Sequence, residues 1–533
     1  LALLRTVAAA PAERVPAASV LVLTALLAAL DTVPDASAEL LAEQTAGALC
    51  TTRSLQEDRG FVQSAQQELL RPWPNEGLRG VVGLQWSLFL TDTLQQTPAA
   101  SAQLGVSYEQ AMALGGAAIT GGDLGAALRG AETDGEPARP PAFVYLLMHL
   151  LAFRHRDLDL FAGEEGAAGA EPLDAEAQEF VLQQVLHLLH STTTALLPLL
   201  RKLQRAEEDA AFASVRSGRP GVALPVRRYD IEALFDLVAL VCHGRPEAGL
   251  ALWLGAGAER RAPPRFLLWA VDVREPGQQR ALLHMLAALA TGEQCAGHAH
   301  ALLEYDAGAA GGERRLISWG RLFDWLAHYV ELFRSAAGAG AAMPPEEMVL
   351  LRAFCGVLAT VVRYSAAARD ALYFNGAYAP VAQLFGLYLC PVPVDLKAAL
   401  LEALGAFAAR PPHAARSARI LEDLWQRLAN SGVLSAAPRS LGGGGASGSV
   451  VWELEHVEAA HFRYPGSTAF VRFLQQVLPA STAGTRAEAL LTGVQHAAPG
   501  GVLGVPGIPA AMGAAAAAAG APPTAPYVAF VVD

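Results

Sequence analysis

Apolar residues recur every three to four positions along most of this chain, and no stretch sustains the strict alternation of a half-buried strand. Leu1 to Leu70 predicts three or four helices separated by Pro11, Pro16 and Pro34, and Arg71-Pro72-Trp73-Pro74-Asn75 is a hard break. Leu78 to Leu90 is apolar nearly all round, with Val81, Val82, Leu84, Trp86 and Leu88, which is the pattern of a helix buried between neighbours. Gly115 to Pro141 is rich in Gly and Ala and predicts a loop with one short helix. Ala142 to Phe161 reads as helix and Ala162 to Pro172 as loop. Asp174 to Arg205 is the longest helical pattern, with Leu182, Val185, Leu186, Leu189 and Leu200 on one face and Pro198 placed to kink or break it. Ser214 to Pro225 reads as loop, and Asp230 is placed to cap a helix carrying Ile231, Leu234, Phe235 and Val238.

Helix pairs are cleanest from Phe266 onward. Phe266 to Val273, Glu275 to Ala290 and Glu293 to Tyr305 come first, with Gly292 between the last two. Ser318 is placed to cap a helix with Trp319, Leu322, Phe323, Leu326 and Val330 inward. Pro344-Pro345-Glu346-Glu347 is a helix start by both the proline and the dipole rule, and it leads into Met348 to Tyr364. Ser365 opens another helix, followed by Val394 to Ala409 and Ile420 to Leu428. Helices of about 10–20 residues with short breaks indicate an all-α chain. No sharp repeat period is present, so the expected fold is a right-handed superhelical α-solenoid of irregular HEAT/armadillo-like helix pairs.

In Val451 to Leu478, Val451, Leu454 and Val457 stripe one face of a short helix. Glu453, Glu455 and Glu458 crowd its first turns and read as serving the helix start. Tyr464-Pro465 breaks it, and Ser467 or Thr468 is placed to cap a second helix bearing Phe470, Phe473, Leu474 and Val477. The wording Trp452-Glu453-Leu454-Glu455, Val457-Glu458, Tyr464-Pro465 and Thr468-Ala469-Phe470 resembles a segment of the large inner-ring nucleoporins, the nucleoporin 205/192 family. Pro526 to Asp533 resembles the strip that follows it. Leu78 to Leu90, Tyr229 to Glu232, Thr291 to His298 and Ile317 to Trp319 resemble the same family and occur in the expected order. The resemblance implies the amino-terminal half of a longer α-solenoid in the inner ring of the nuclear pore complex, at the nuclear envelope. It further implies a large symmetric assembly, with linker nucleoporins and a membrane-associating nucleoporin as partners.

Composition narrows the classes. A net charge of −12 over 533 residues argues against a nucleic-acid footprint, which needs a basic face. The longest apolar run near the start, Ala17 to Leu30, has 14 residues. A transmembrane helix needs about 20. Cys50, Cys242, Cys295, Cys355 and Cys390 are scattered through apolar patterns and suit reduced core thiols. Leu1 and Asp533 both look like cut ends.

Candidate chemistry is sparse. Cys295, His298 and His300 make a Cys-x-x-His-x-His cluster, but residues 295 and 298 share a helical face that 300 does not, and no second ligand pair lies nearby. His187 with His190, and His149 with His155, read as polar or boundary positions of helices. No phosphate-cradling Gly-x-x-x-x-Gly-Lys loop is present, so neither metal nor cofactor is expected, and no catalysis. Trp319, Phe323, Trp325 and Tyr329 form an aromatic-rich helix that reads as core. Trp325 lies off its apolar stripe and is the candidate partner-binding residue.

The expected organisation is a solenoid over 1–430, a Gly-rich flexible loop over 431–449, more solenoid over 450–496, an Ala/Gly/Pro-rich flexible segment over 497–526 and the start of a further segment at 527–533. Tyr527 to Val532 is the one strip that reads as open to an extended conformation. Two functions fit such a chain. One is a structural scaffold that holds other proteins through short linear segments. The other is a transport receptor of the importin-β type, which would carry acidic loops and a regular period not seen here.

Overall fold

In the computed structural model the described residues are 1–10, 17–30, 58–96, 104–130, 139–155, 175–216, 228–254, 264–304, 316–335, 343–409, 415–431, 439–440, 446–447 and 450–477. They form an all-α protein that divides into two compact units, Leu1–Leu289 and Ala290–Asp533.

The first unit holds α1 (Ala2–Ala8), α2 (Ala17–Leu30), α3 (Arg59–Leu70), α4 (Glu76–Gln96), α5 (Tyr108–Thr120), α6 (Leu124–Leu128), α7 (Ala142–His155), α8 (Ala175–Ala195), α9 (Leu197–Arg216), α10 (Asp230–Cys242), α11 (Pro246–Leu254), α12 (Arg265–Ala270) and α13 (Pro276–Leu289). Helix α4 packs on α5 and α7, α7 on α10, and α10 on α13, so layers form between near neighbours in sequence, the packing order of an α-solenoid. As its all-round apolar pattern predicts, α4 is buried on nearly every side, and Trp86 stacks on Phe89 with ring centres 4.9 Å apart. Pro198 does break the long pattern: α8 stops at Ala195, and Pro198 sits in the first turn of α9.

Two expectations in this unit are corrected. Gly115 and Gly116 lie inside α5 rather than in a loop. Helix α5 is held by a full capping box between Ser107 and Gln110 and ends at Gly121 with φ 76°. Gly115 lets α5 approach α4 closely, because a Cβ there would lie 2.7 Å from Ser87 Oγ and 3.1 Å from Leu196 Cδ1. Gly115→Ala is therefore expected to destabilise by about 1–3 kcal/mol through overpacking. This opposes the gain of about 1 kcal/mol that Ala brings to an open helix position. A rise in thermal midpoint on this substitution would overturn the packing account. Asp230, in turn, does not cap α10; its own N–H is capped by Glu207 of α9.

The second unit holds α14 (Glu293–Glu304), α15 (Trp319–Ser335), α16 (Pro345–Tyr364), α17 (Ala366–Tyr373), α18 (Pro380–Tyr388), α19 (Val394–Phe407), α20 (Ala415–Ser431), α21 (Val450 to His461, in three pieces described below) and α22 (Pro465–Val477). Helix α16 packs on α19, and α19 on α22. Trp319, Phe354, Phe407, Phe470 and Phe473 are fully buried there. Ser318, Ser365 and Pro345 start helices as their sequence signals predict, with Ser365 Oγ accepting from Ala368 N at 3.2 Å. Arg439–Ser440 pairs antiparallel with Ala446–Ser447, so a two-residue ladder lies in the stretch expected to be a flexible loop. Ser431, at the start of that stretch, is the last residue of α20, while 432–438, 441–445, 448–449 and the 497–526 and 527–533 segments lie outside the described residues. So does Cys50; Cys242, Cys295, Cys355 and Cys390 are buried and form no disulfide among the described residues. No single helix among the described residues is long and apolar enough to cross a membrane.

Candidate functional site

The segment with the most distinctive wording folds into a rigid corner. Helix α21 begins as α (Val450–Glu453), widens into a π turn (Leu454–Glu458) and returns to α (Ala459–His461). The extra residue of a π turn rotates the face that follows it. Here it brings Glu458 inside, where the side chain is buried. Its carboxylate accepts from Gly466 N at 2.6 Å, from Ser467 N at 3.2 Å and from the Ser467 hydroxyl. Glu458 thus caps α22 from the preceding helix, and Ser467 is a donor to that cap rather than the cap itself.

The three glutamates expected to serve their own helix start diverge. Glu455 is exposed. Glu453 pairs with Lys397 of α19, and both side chains are largely buried. Burial pushes the Glu453 carboxyl up and the Lys397 ammonium opposes that shift. Leu454 and Val457 are half-buried, while the Val451 side chain lies outside the described residues. Helix α21 ends at Phe462, which is in the left-handed region at φ 51° and ψ 33° and is 85% exposed.

Trp325 is half-buried rather than open to solvent. Its indole N–H donates to Glu347 Oε2 at 3.3 Å, and the Tyr329 hydroxyl donates to the same oxygen. Glu347 lies in the first turn of α16, so this aromatic edge ties α15 to the start of α16.

The histidines lead elsewhere than to a common site. Cys295 is buried. His300 accepts from the Trp319 indole N–H on Nδ1 at 3.0 Å and presents Nε2 to Glu304 at 3.3 Å, which fixes its ring between two partners. Burial lowers the His300 pKa, and Glu304 opposes that. His298 is half-buried on the same helix. His187 and His190 are half-buried along α8. His149 lies against the Tyr145 ring at 4.2 Å, and burial lowers its pKa; the His155 side chain lies outside the described residues. Among the described residues no three His, Cys, Asp or Glu side chains gather as a metal site.

Sequence reasoning missed a buried polar knot in the first unit. Glu207 Oε1 accepts from Asp230 N at 2.9 Å and Ile231 N at 3.3 Å, and Glu207 Oε2 accepts from Gln278 Nε2 at 2.7 Å. One side chain of α9 therefore fastens α10 and α13. Burial pushes the Glu207 carboxyl up to about 8, with the Asp230 charge adding to it and the three hydrogen bonds opposing it. Asp230 is itself pushed up to about 6 by burial, against the pull of Arg228 at 3.4 Å. In sequence, the only signal was two acidic residues at apolar-face positions of their helices.

Stacked helices whose buried carboxylates fasten neighbouring helix starts define a helical scaffold. The profile of the family described as nuclear pore complex scaffold, nucleoporins 186/192/205, matches residues 3–533, and the chain belongs to that family. It is 29% identical over 350 residues to nuclear pore complex protein Nup205 of Homo sapiens, covering 57% of this chain and 17% of that protein. It is 24% identical over 260 residues to nucleoporin NUP192 of Chaetomium thermophilum, covering 45% of this chain and 14% of that protein. The matched stretches span less than a fifth of either relative. Membership places the chain among the nuclear pore complex scaffold proteins, as its resemblance to nucleoporins implied.

Proposed function

We propose that this part of the scaffold works without catalysis, by holding short linear segments of other inner-ring nucleoporins in grooves between helix pairs. Linker nucleoporins and the membrane-associating nucleoporin are the partners in this reading, and nucleocytoplasmic transport is supported indirectly, through the assembly. The observation that carries it is the packing order: α4 on α5, α10 on α13, α16 on α19 and α19 on α22. Layers of that kind leave extended grooves between successive pairs, suited to a peptide that orders on binding. The half-buried edge of Trp325 is one candidate contact. A few apolar anchors entering pockets should dominate, so affinity should depend weakly on salt, unlike a phosphate-backbone contact. The test titrates the purified chain with peptides tiling the flexible regions of those nucleoporins. Binding of at least one peptide well above background is expected. Failure of every peptide, with binding of a Ran-type GTPase or a cargo signal instead, would return the chain to the transport-receptor class.

A further inference from the structure

We propose that the corner at Phe462 is a docking point for an acidic linear segment with one apolar anchor, supplied by a partner protein; this rests on the reading of the chain as a holder of linear segments. Three observations converge on it.

The first is conformational. Arg463 N donates to Glu458 O at 3.2 Å and Phe462 N to Ala459 O at 3.3 Å. These two bonds are the paired closure of a helix end whose left-handed residue is ordinarily glycine, or sometimes asparagine. Phenylalanine occupies that position here, at φ 51°. The backbone is strained by its Cβ, and among the described residues none buries this side chain: the residue is 85% exposed. Local stability favours another residue on both counts.

The second is rigidity. Glu458 clamps the start of α22 through Gly466 and Ser467, and Pro465 fixes the backbone between them. An aromatic side chain on a preset corner loses little freedom when it binds.

The third is charge. No Asp or Glu occurs from Ala459 to Val477, in a chain of net charge −12. His461, Arg463, Tyr464 and Arg472 are exposed along this stretch. Glu458 is turned inward, and the nearest exposed carboxylate along the chain is Glu455, seven positions before Phe462. Arg463 beside an open aromatic ring matches a segment that places a carboxylate next to a Leu or Phe side chain. Two arginines and a histidine fall short of the basic cluster that recruits an anionic lipid surface, so the observations favour a peptide.

The test uses the full chain with Phe462→Asn and Arg463→Glu variants. The probes are the acidic, Leu- or Phe-containing peptides of the tiled set, each paired with a version whose Glu residues are replaced by Lys. Phe462→Asn relieves the left-handed strain, so it is expected to raise the folding equilibrium about fivefold and yet weaken the acidic peptide tenfold or more. Arg463→Glu is expected to weaken the acidic peptide and strengthen its Lys version. Unchanged affinity in Phe462→Asn overturns the proposal while leaving segment binding elsewhere intact. Loss of binding together with a lower thermal midpoint also overturns it, since Phe462 would then be a packing residue. Phe462-dependent binding to phosphatidylserine vesicles, with no effect on peptides, would reassign the corner to a membrane surface. Failure of every peptide on the unaltered chain would remove the broader reading and this one together.

Discussion

Lys397→Ala is expected to destabilise the protein by about 3–5 kcal/mol, because it leaves the Glu453 carboxylate buried without its partner. Lys202 and Lys397 are the chain's two lysines among 39 basic side chains, so a lysine at this position is an uncommon choice for this protein. The residue is 4% exposed, its ammonium meets Glu453 between α19 and α21, and it sits 5.8 Å from the centre of the Tyr388 ring. A compact, flexible ammonium suits such a narrow space better than a planar guanidinium. The cost has a pH signature. With the ammonium gone, the Glu453 carboxyl, already pushed up by burial, rises further. A carboxyl with a raised folded-state pKa contributes stability at low pH that is lost as pH rises. The deficit of the variant should therefore be larger at pH 8 than at pH 5. Lys397→Met combined with Glu453→Leu removes both charges and should lie within about 1 kcal/mol of the parent, or above it. Urea unfolding at the two pH values measures all of this. A Lys397→Ala cost below about 1 kcal/mol would show the pair to be solvated and the account wrong.

Contrast this pair with the helix starts that were legible in sequence. Ser318, Pro345 and Ser365 act on their own helices within three residues, so a local pattern reveals them. The all-round apolar character of Leu78 to Leu90 was legible for the same reason, since burial on every side needs no knowledge of the neighbour. Glu207, Glu458 and Lys397 act on elements 8 to 71 positions away, and their partners are set by packing. Periodicity cannot report that. Gly115 was misread because glycine marks both loops and close helix contacts, and only the position of Ser87 separates the two. Helix α18 was missed because it is short and starts at Pro380, after Ala379 in a left-handed conformation. The family wording at Trp452 to Phe470 located the corner without its geometry: nothing in the spacing foretold the π turn that brings Glu458 inside. Phe462 carried a faint signal, a helix end with no glycine three residues ahead of a proline.

Stability of the first unit is expected to fall as pH rises from about 5 to 9, by a few kcal/mol at about 1.4 kcal/mol per unit of pKa difference. The source is Glu207. Its carboxyl is pushed from the ordinary 4.5 to about 8 by burial and by the neighbouring Asp230. Between those values the folded state holds a proton that the unfolded state releases, so stability decreases with pH across the window. Asp230, pushed up to about 6, adds a contribution of the same sign in the lower part of it. The groups around Glu207 keep the neutral acid useful. Asp230 N and Ile231 N need only a carbonyl oxygen, and Oε2–H can donate to Gln278 once that amide is turned over. Glu207→Gln should therefore fold well and flatten the profile, leaving only the smaller slope due to Asp230. Glu207→Ala leaves two helix-start N–H groups and the Gln278 amide buried without partners, and should cost about 2–4 kcal/mol. Hydrogen exchange at the Asp230 and Ile231 amides, followed from pH 5 to 9 after correction for intrinsic rates, reads the first unit directly. If protection there increases with pH in the parent, or if Glu207→Gln keeps the parent's full slope, Glu207 is not the group that titrates.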